Sequence, residues 1–313
     1  MSLRLELLQV ARLAPLLLGD SARLVRDFLL GQQNPDGGFK DRSGHSDLYY
    51  TVFGLDALTA LQVQSPQSKA QGPAPLDGVE QAAYYLRGFG AGAGLNFVHL
   101  CCLARSWAAV GHPVSRRTDD DSPRSDDIVR HLEPFRAGDG GFHPVPGSDH
   151  GTAYGAFLAL GAYQDLRVEL PEPQRLAQSL LFLRTADGAF TNELNRPSVF
   201  GSTNATAAAV IVLRHLGVSF DPAVGDWLLA RAHPQGGFRA TPTAPGPDLL
   251  STATALHALA GLPVSFASVK EPCLDFLDSL RTNEGSFHGH WADDHLDTEY
   301  TFYGLLALGH LSL

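Results

Sequence analysis

Histidine and carboxylate side chains are concentrated in residues 288–299, near the end of the printed sequence. The segment HGHWADDHLDTE holds three His, three Asp and one Glu, which are side chains that bind divalent metal ions. Their spacing matches no standard zinc pattern. We therefore expect a solvated loop in which Asp297 caps the following helix, with divalent metal binding as the alternative.

Three aspartates each stand directly before an apolar segment, a position typical of helix N-caps. They are Asp47, Asp248 and Asp297. Tyr50 follows Asp47 by three residues, and Tyr300 follows Asp297 by the same interval. If the chain brings these two segments together, they form a polar site. The third aspartate would add a further carboxylate. Our candidate catalytic residues are therefore Asp47, Asp248, Asp297 and Tyr300.

These segments belong to an internal repeat whose marker is a Gly-Gly-Phe-like triplet. The aromatic residue recurs after 48, 48 and 49 residues between Phe142, Phe190, Phe238 and Phe287. An earlier copy ends at Phe39, and a degenerate copy ends at Leu95. Six repeats of this length indicate one repeat domain over residues 1–313. Their approximate bounds are 21–65, 76–112, 122–166, 172–218, 221–263 and 267–313.

Each repeat has the same order of features: an amphipathic helix, the glycines and aromatic, a polar loop, and a more apolar helix. The glycines are expected to end the first helix in a left-handed conformation. The predicted first helices are 21–33, 77–90, 125–137, 172–184, 221–233 and 267–282. The predicted second helices are 47–63, 95–110, 149–165, 202–217, 248–261 and 297–312.

The second helices are apolar nearly all round, which is typical of helices buried on both sides. Strand alternation is nowhere sustained. The sequence therefore predicts an all-α fold, an α/α toroid of six helical hairpins in two concentric layers, with the apolar helices inside and the last hairpin packed on the first.

The repeat resembles that of the terpenoid cyclase and protein prenyltransferase superfamily, from about residue 21 to 313. Two segments are most similar to the β subunit of protein geranylgeranyl and farnesyl transferases. They read GGFKDRSGHSDLYYTVFGLDAL and GSFHGHWADDHLDTEYTFYGLLAL. The resemblance implies an isoprenoid or its diphosphate as ligand, and a helical-repeat α-type subunit or a second copy of the chain as partner.

The zinc ligands of those β subunits are an Asp, a Cys two residues later and a His in the last repeat. Asp248 matches the Asp, but Leu250 and Tyr300 occupy the other two positions. The resemblance therefore implies that the zinc site is lost; no cofactor is expected, although Mg²⁺ is an option.

The cyclase branch uses a protonated Asp in an Asp-x-Asp-Asp motif, and Leu250 again occupies the proton-donating position. The run Thr118–Asp121 is only superficially similar to that motif. A cyclase of this kind would need a non-standard acid.

Several residues are candidates for binding the ligand. His150 matches a diphosphate-binding His of the mid-chain repeat, with spacing one residue short, and Arg239 is the basic residue nearest to the family's diphosphate clamp. His150 is expected to open an inner helix, whose N-terminus favours anions. Aromatic side chains on inner helices would line a funnel suited to an isoprenoid chain. The candidates on these helices are Tyr50, Tyr154, Phe157 and Tyr303.

Composition limits the remaining function classes. The formal net charge of −10 argues against nucleic-acid binding. Only three Cys occur, two of them adjacent in an apolar run, which indicates buried thiols and a reducing, cytoplasmic setting. The first 20 residues carry internal charges and predict a short amphipathic helix instead of a signal peptide. Three functions stay open: an isoprenoid-binding or transferring protein, a non-catalytic toroid that binds a lipid or a protein, and a cyclase-like enzyme.

Overall fold

The computed structural model describes residues 1–62, 78–111, 123–194 and 200–313. The predicted Thr118–Asp121 loop lies outside these ranges, as do parts of the first three predicted repeat boundaries. In chain order the helices are α1 (Leu3–Ala11), α2 (Pro15–Leu18), α3 (Ser21–Gly31), α4 (Leu48–Ala60), α5 (Val79–Arg87), α6 (Phe97–Ala109), α7 (Ser125–Leu132), α8 (Ala153–Asp165), α9 (Pro173–Phe182), α10 (Thr203–His215), α11 (Ala223–Leu229), α12 (Leu249–Ala260), α13 (Lys270–Leu280) and α14 (Thr298–Leu311).

Six apolar helices form the inner layer, and they make a closed ring. These are α4, α6, α8, α10, α12 and α14; each packs on the next, and α14 packs on α4. The amphipathic helices α3, α5, α7, α9, α11 and α13 pack outside them. This arrangement confirms the predicted toroid of paired helices. It buries the most apolar segments of the chain between the outer layer and the centre.

Polar caps start every inner helix. In each of them, the N-cap side chain accepts a hydrogen bond from a backbone N–H of the first turn. The N-cap residues are Asp47, Asn96, Thr152, Ser202, Asp248 and Asp297. The predicted caps at Asp47, Asp248 and Asp297 are confirmed. The start predicted for α8 is wrong, because Thr152 provides the cap and His150 precedes the helix in a loop.

The Gly-Gly-Phe triplets lie in tight turns after the outer helices, so the prediction that their glycines end those helices is wrong. Gly37 has φ of 94° in a turn that pairs Gln33 with Phe39. The equivalent Phe in each of the other four complete copies makes the same bridge and is buried. The outer helices are accordingly shorter than predicted, because their last residues belong to the turn.

These glycines also let neighbouring hairpins approach closely. A Cβ on Gly37 would lie 1.9 Å from the carbonyl oxygen of Gln81 on α5. The same test on Gly285 places the Cβ 2.3 Å from the oxygen of Leu24 on α3. Since Gly285 belongs to the last repeat and Leu24 to the first, this contact closes the outer layer.

Strands are minimal. Within the described residues, two antiparallel ribbons occur: β1 (Phe39–Lys40) with β2 (Ser46–Asp47), and β3 (Phe238–Arg239) with β4 (Pro247–Asp248). The 3₁₀ turns at Glu133–Phe135 and Ala267–Val269 add to the helical content of the described residues. No helix in the described part of the chain is long and apolar enough to span a bilayer.

Candidate functional site

The second residue after each N-cap occupies the same position in the first turn of its inner helix. Counted from the caps, these positions are Tyr49, Val98, Tyr154, Asn204, Leu250 and Glu299. All of them except Val98 line a central cavity of about 300 Å³. We call this set the upper ring.

The cavity continues downward along the same helix faces. One turn further in, Phe53, Thr254 and Tyr303 line it, and Phe157 and Phe302 add aromatic surface. A side lobe of about 60 Å³ shares Tyr154 and Phe157 and is bordered by Cys101 and Cys102. Both thiols are buried, as predicted, and form no disulfide. The centre of the ring is thus an aromatic-lined space and is not filled by side chains.

Glu299 is the acidic group of the upper ring. Its Oε1 accepts a hydrogen bond of 2.6 Å from Tyr49 Oη. Burial raises the pKa of Glu299 to about 7, even though the Tyr49 hydrogen bond and the charge of Arg42 act in the opposite direction. A carboxyl group with this pKa exchanges protons near neutral pH, which is the range required of a general acid or base.

Deeper in the cavity, the charged groups pair with one another. Asp56 is fully buried and contacts Arg4 at 2.8 Å and Arg105 at 2.7 Å. Burial would lower the pKa of Arg105, but the charges of Asp56 and Asp165 raise it. Burial raises the pKa of Asp165 to about 7. Arg105 therefore compensates buried carboxylates.

The aspartates predicted to be catalytic lie at the rim, where each caps an inner helix. Asp47 contacts His99 Nε2 at 3.2 Å; burial would raise the pKa of Asp47, but this hydrogen bond lowers it. Asp248 accepts hydrogen bonds from Ser251 N and Oγ, and burial raises its pKa. Asp297 is buried and receives a hydrogen bond of 3.0 Å from Arg42 Nε.

The first and last repeats are side by side, as the sequence predicts, but Asp47 and Asp297 do not share a partner. Thr298 Oγ1 donates to the carbonyl oxygen of Tyr50 across the junction, and the guanidinium carbon of Arg42 lies 5.5 Å from the centre of the Tyr300 ring. Tyr50 and Tyr300 therefore lie in the junction, and the cavity wall there is formed by Tyr49 and Glu299.

Of the predicted binding residues, Tyr154, Phe157 and Tyr303 line the cavity. His150 and Arg239 are not among its described lining residues. His150 is exposed, lies 3.5 Å from Asp139 and stacks on Phe182 of the outer layer. Arg239 belongs to β3, where its carbonyl oxygen accepts a hydrogen bond from Thr203, and its Nε is buried without a hydrogen-bond partner.

Metal-binding side chains do not converge within the described ranges. No group of three or more His, Cys, Asp or Glu there could hold a metal ion. In the 288–299 loop, Asp293 instead accepts hydrogen bonds from the backbone and ring of His295 and lies 3.9 Å from Arg42.

Glu299, Arg105 and α1 were not predicted from the sequence as parts of the site. The signal for Glu299 was present, because aligning the six caps places it at the position of Tyr49 and Leu250. Arg105 and Asp56 carried no comparable signal, since each is a single charge inside an apolar helix whose partner is about 50 residues away in sequence.

The comparisons with known proteins agree with the toroid fold. The model of the prenyltransferase alpha-alpha toroid domain matches residues 13–96, 99–217 and 206–312. No curated protein matches the chain by sequence.

Solved structures show the same fold at low identity. The type II terpene cyclase MstE from Scytonema, in complex with its product merosterolic acid A, is 16% identical with a TM-score of 0.61, covering 99% of this chain and 98% of that one. A protein from Actinoplanes is 16% identical with a TM-score of 0.56, covering 93% and 98%. Candida albicans protein geranylgeranyltransferase-I, complexed with GGPP, is 15% identical with a TM-score of 0.54, covering 69% and 66%.

Proposed function

The chain belongs to the prenyltransferase alpha-alpha toroid family, and we propose that its central cavity binds an isoprenoid chain. The observation that carries this proposal is the aromatic lining of the cavity by Tyr49, Phe53, Tyr154, Phe157 and Tyr303. Its volume of about 300 Å³ lies at the lower end of the range of small-molecule sites. An apolar chain placed there gains about 25 cal/mol for each Å² of apolar surface removed from water.

The head group of the ligand would lie at the upper ring and the capping aspartates. If it is a diphosphate, the carboxylates of Asp47, Asp248 and Glu299 repel it, and Arg42 is already paired with Asp297. Mg²⁺ bound between phosphate and carboxylate oxygens would relieve that repulsion. We therefore expect farnesyl and geranylgeranyl diphosphate to bind better with Mg²⁺ than with chelator, and farnesol to be insensitive to the metal.

Isothermal calorimetry with these three ligands tests the proposal. Phe157→Glu places a charge in the cavity and should abolish binding, whereas Phe182→Glu changes an aromatic that is 71% exposed on the outer layer and should leave it intact. If neither alcohol nor diphosphate binds the wild-type protein, the alternative of a non-catalytic toroid that binds another lipid or a protein is favoured.

Glu299 supports a second candidate, an acid-initiated cyclisation. Its protonated carboxyl group would add a proton to a carbon–carbon double bond of the bound chain, and the surrounding aromatic rings would stabilise the resulting cation. A later loss of a proton from carbon yields a cyclic isomer of the substrate. Glu299 would then be the non-standard acid that replaces the one missing at Leu250.

Deuterium labelling tests this reaction. In D₂O the wild-type protein should convert an unsaturated isoprenoid to a product that carries one deuterium, detected by mass spectrometry. Glu299→Gln should bind the substrate with similar affinity and form no product, while Asp294→Asn, on the exposed loop, should be unaffected. Binding without any product in the wild-type protein would leave only the first proposal.

We also propose that the chain has lost the family's zinc site, because Leu250 and Tyr300 offer neither thiolate nor imidazole. Metal analysis of purified protein should find clearly less than one zinc per chain. Stoichiometric zinc that disappears in Asp248→Ala would contradict this. A helical-repeat partner subunit or a second copy of the chain stays a prediction of the resemblance, and light scattering tests the second.

A further inference from the structure

Helix α1 lies across the end of the ring opposite to the N-caps and contacts every inner helix. It packs on α4, α8 and α14, and its side chains reach the C-terminal ends of α6, α10 and α12. Among the residues that the structure describes, α1 therefore covers the deep end of the cavity, where Leu7 and Leu3 line its two lobes.

Polar contacts hold α1 in this position on several sides. Arg4 Nε contacts Asp56 of α4 at 2.8 Å, and Leu3 N donates to Gln164 Oε1 of α8 at 2.7 Å. Glu6 contacts His215 of α10 at 2.8 Å and also pairs with Arg214. These contacts lie around the ring, so they fix the position of α1 across the opening as well as its depth.

One glycine of the inner layer allows the helix to sit deep in the ring. A Cβ on Gly309 of α14 would lie 2.1 Å from the carbonyl oxygen of Val10, so only glycine admits the backbone of α1 at this point. At Gly161 of α8, by contrast, an added Cβ would meet Leu3 Cδ1 at 3.9 Å, an ordinary contact, so this position does not require glycine.

The apolar face of α1 is the floor of the cavity. Leu7 lines the main cavity together with Ile211, His257 and Leu306, and Leu3 lines the side lobe. Leu7 is 7% exposed, and that small surface faces the space in which the distal end of a ligand would lie. Leu5 is 47% exposed and lines neither lobe.

We propose that α1 is a built-in stop that sets the length of the apolar chain the cavity accepts, with Leu7 as the residue that determines it. This inference rests on the proposed function for the identity of the natural ligand, but the stop itself requires only a length-limited apolar cavity. A chain that enters at the upper ring gains affinity with each added carbon until its end meets Leu7.

Straight-chain alcohols from hexanol to hexadecanol measure this length without requiring isoprenoid recognition. Affinity should rise about fourfold for each buried methylene and then level off. Leu7→Ala should move this plateau to longer alcohols by about three carbons, the number that the substitution removes. Leu7→Phe should move it to shorter ones, and Leu5→Ala should leave it unchanged.

The two Leu7 variants shift the plateau in opposite directions, so the result does not depend on either one alone; circular dichroism verifies that each is folded. An unchanged plateau in a folded variant overturns the inference, and so does a wild-type protein that binds no alcohol. If alcohols show the shift and isoprenoids do not bind, the stop is supported and the proposed function fails. If isoprenoids bind and the Leu7 variants do not change the accepted chain length, the proposed function is supported and the stop is overturned.

Discussion

At the scale of single residues, the cavity places a carboxyl group among aromatic rings, where its charged form is poorly solvated. Glu299 accepts a hydrogen bond from Tyr49, and the charges of Asp297 and Arg42 act on its pKa in opposite directions. An unfolded chain exposes Glu299 to water, where the pKa of a glutamate is about 4.5. The folded protein therefore binds a proton on Glu299 at pH values where the unfolded chain does not.

This difference predicts a pH-dependent effect of Glu299→Gln on stability. The folded pKa of about 7 lies above the unfolded value, so the contribution of Glu299 is favourable below pH 4.5 and is lost as the pH rises through 7. At pH 8 the variant should be more stable than the wild-type protein by roughly 1–3 kcal/mol, allowing for screening by cavity water. At pH 5 the two should be similar.

Urea denaturation at both pH values measures the difference. Glu284→Gln, on the turn after α13, is the control and should show no such dependence. Equal stabilities of wild type and Glu299→Gln at pH 8 would mean that Glu299 is well solvated, and that would also weaken its candidacy as an acid.

The sequence identified the aromatic residues Tyr154, Phe157 and Tyr303 because they recur on the apolar helices. It placed the chemistry on Asp47, Asp248 and Asp297, which stand out by type. In the structure these carboxylates accept hydrogen bonds from their own helices. Which carboxylate faces the axis depends on the exact first residue of each helix. The sequence pattern predicts that residue only to within a few positions.

At the scale of elements, the turn between two helices determines how closely hairpins pack. The repeat interval predicted the six hairpins correctly, but it did not reveal that the glycine turns press against the next outer helix. That contact depends on distances between units. These turn positions require glycine for two reasons: the backbone has a left-handed φ, and there is no space for a Cβ.

Gly285 and Gly44 separate these two reasons. Both have a left-handed φ, of 93° and 86°, but an added Cβ would meet the backbone of Leu24 only at Gly285 and nothing within 4 Å at Gly44. We expect Gly44→Ala to lower the free energy of unfolding by about 1 kcal/mol through strain alone. Gly285→Ala should lower it by roughly 3 kcal/mol, because it also forces the last repeat away from the first.

Chemical denaturation of the two variants provides the comparison. Equal losses would show that the contact between the last and first outer helices contributes little, and would argue against tight closure of the outer layer. A much larger loss at Gly285 supports closure as a main source of stability.

At the scale of the whole molecule, the stability of the ring depends on α1. This helix covers ionisable groups at the deep end of the cavity and shields them from water. The sequence predicted α1 only as an amphipathic helix, since nothing local indicates that Arg4 and Glu6 contact residues about 50 and 210 positions away. His257 and His310 are buried beside Glu6, with His257 Nδ1 3.0 Å from His310 Nε2.

This cluster predicts that the protein loses stability in mild acid. Burial lowers the pKa of His257 to about 4 and that of His310 to about 3, so between pH 6.5 and 4 the unfolded chain binds protons that the folded one excludes. Burial would raise the pKa of Glu6, but hydrogen bonds from His215 and Arg214 lower it to about 2, which extends the loss below pH 4.5. Each such proton lowers the free energy of unfolding by about 1.4 kcal/mol per pH unit.

Thermal melts from pH 7 to pH 4 measure this slope, and His310→Gln should flatten it because one of the buried imidazoles no longer titrates. His45→Gln is the matched control, since the His45 side chain is 83% exposed and should not alter the slope. The histidines lie beneath α1, so the acid transition should begin with its release, and the amide protons of α1 should exchange before those of α4 and α14. Simultaneous exchange of all three helices, or an unchanged slope in His310→Gln, would place the acid-sensitive groups elsewhere in the ring.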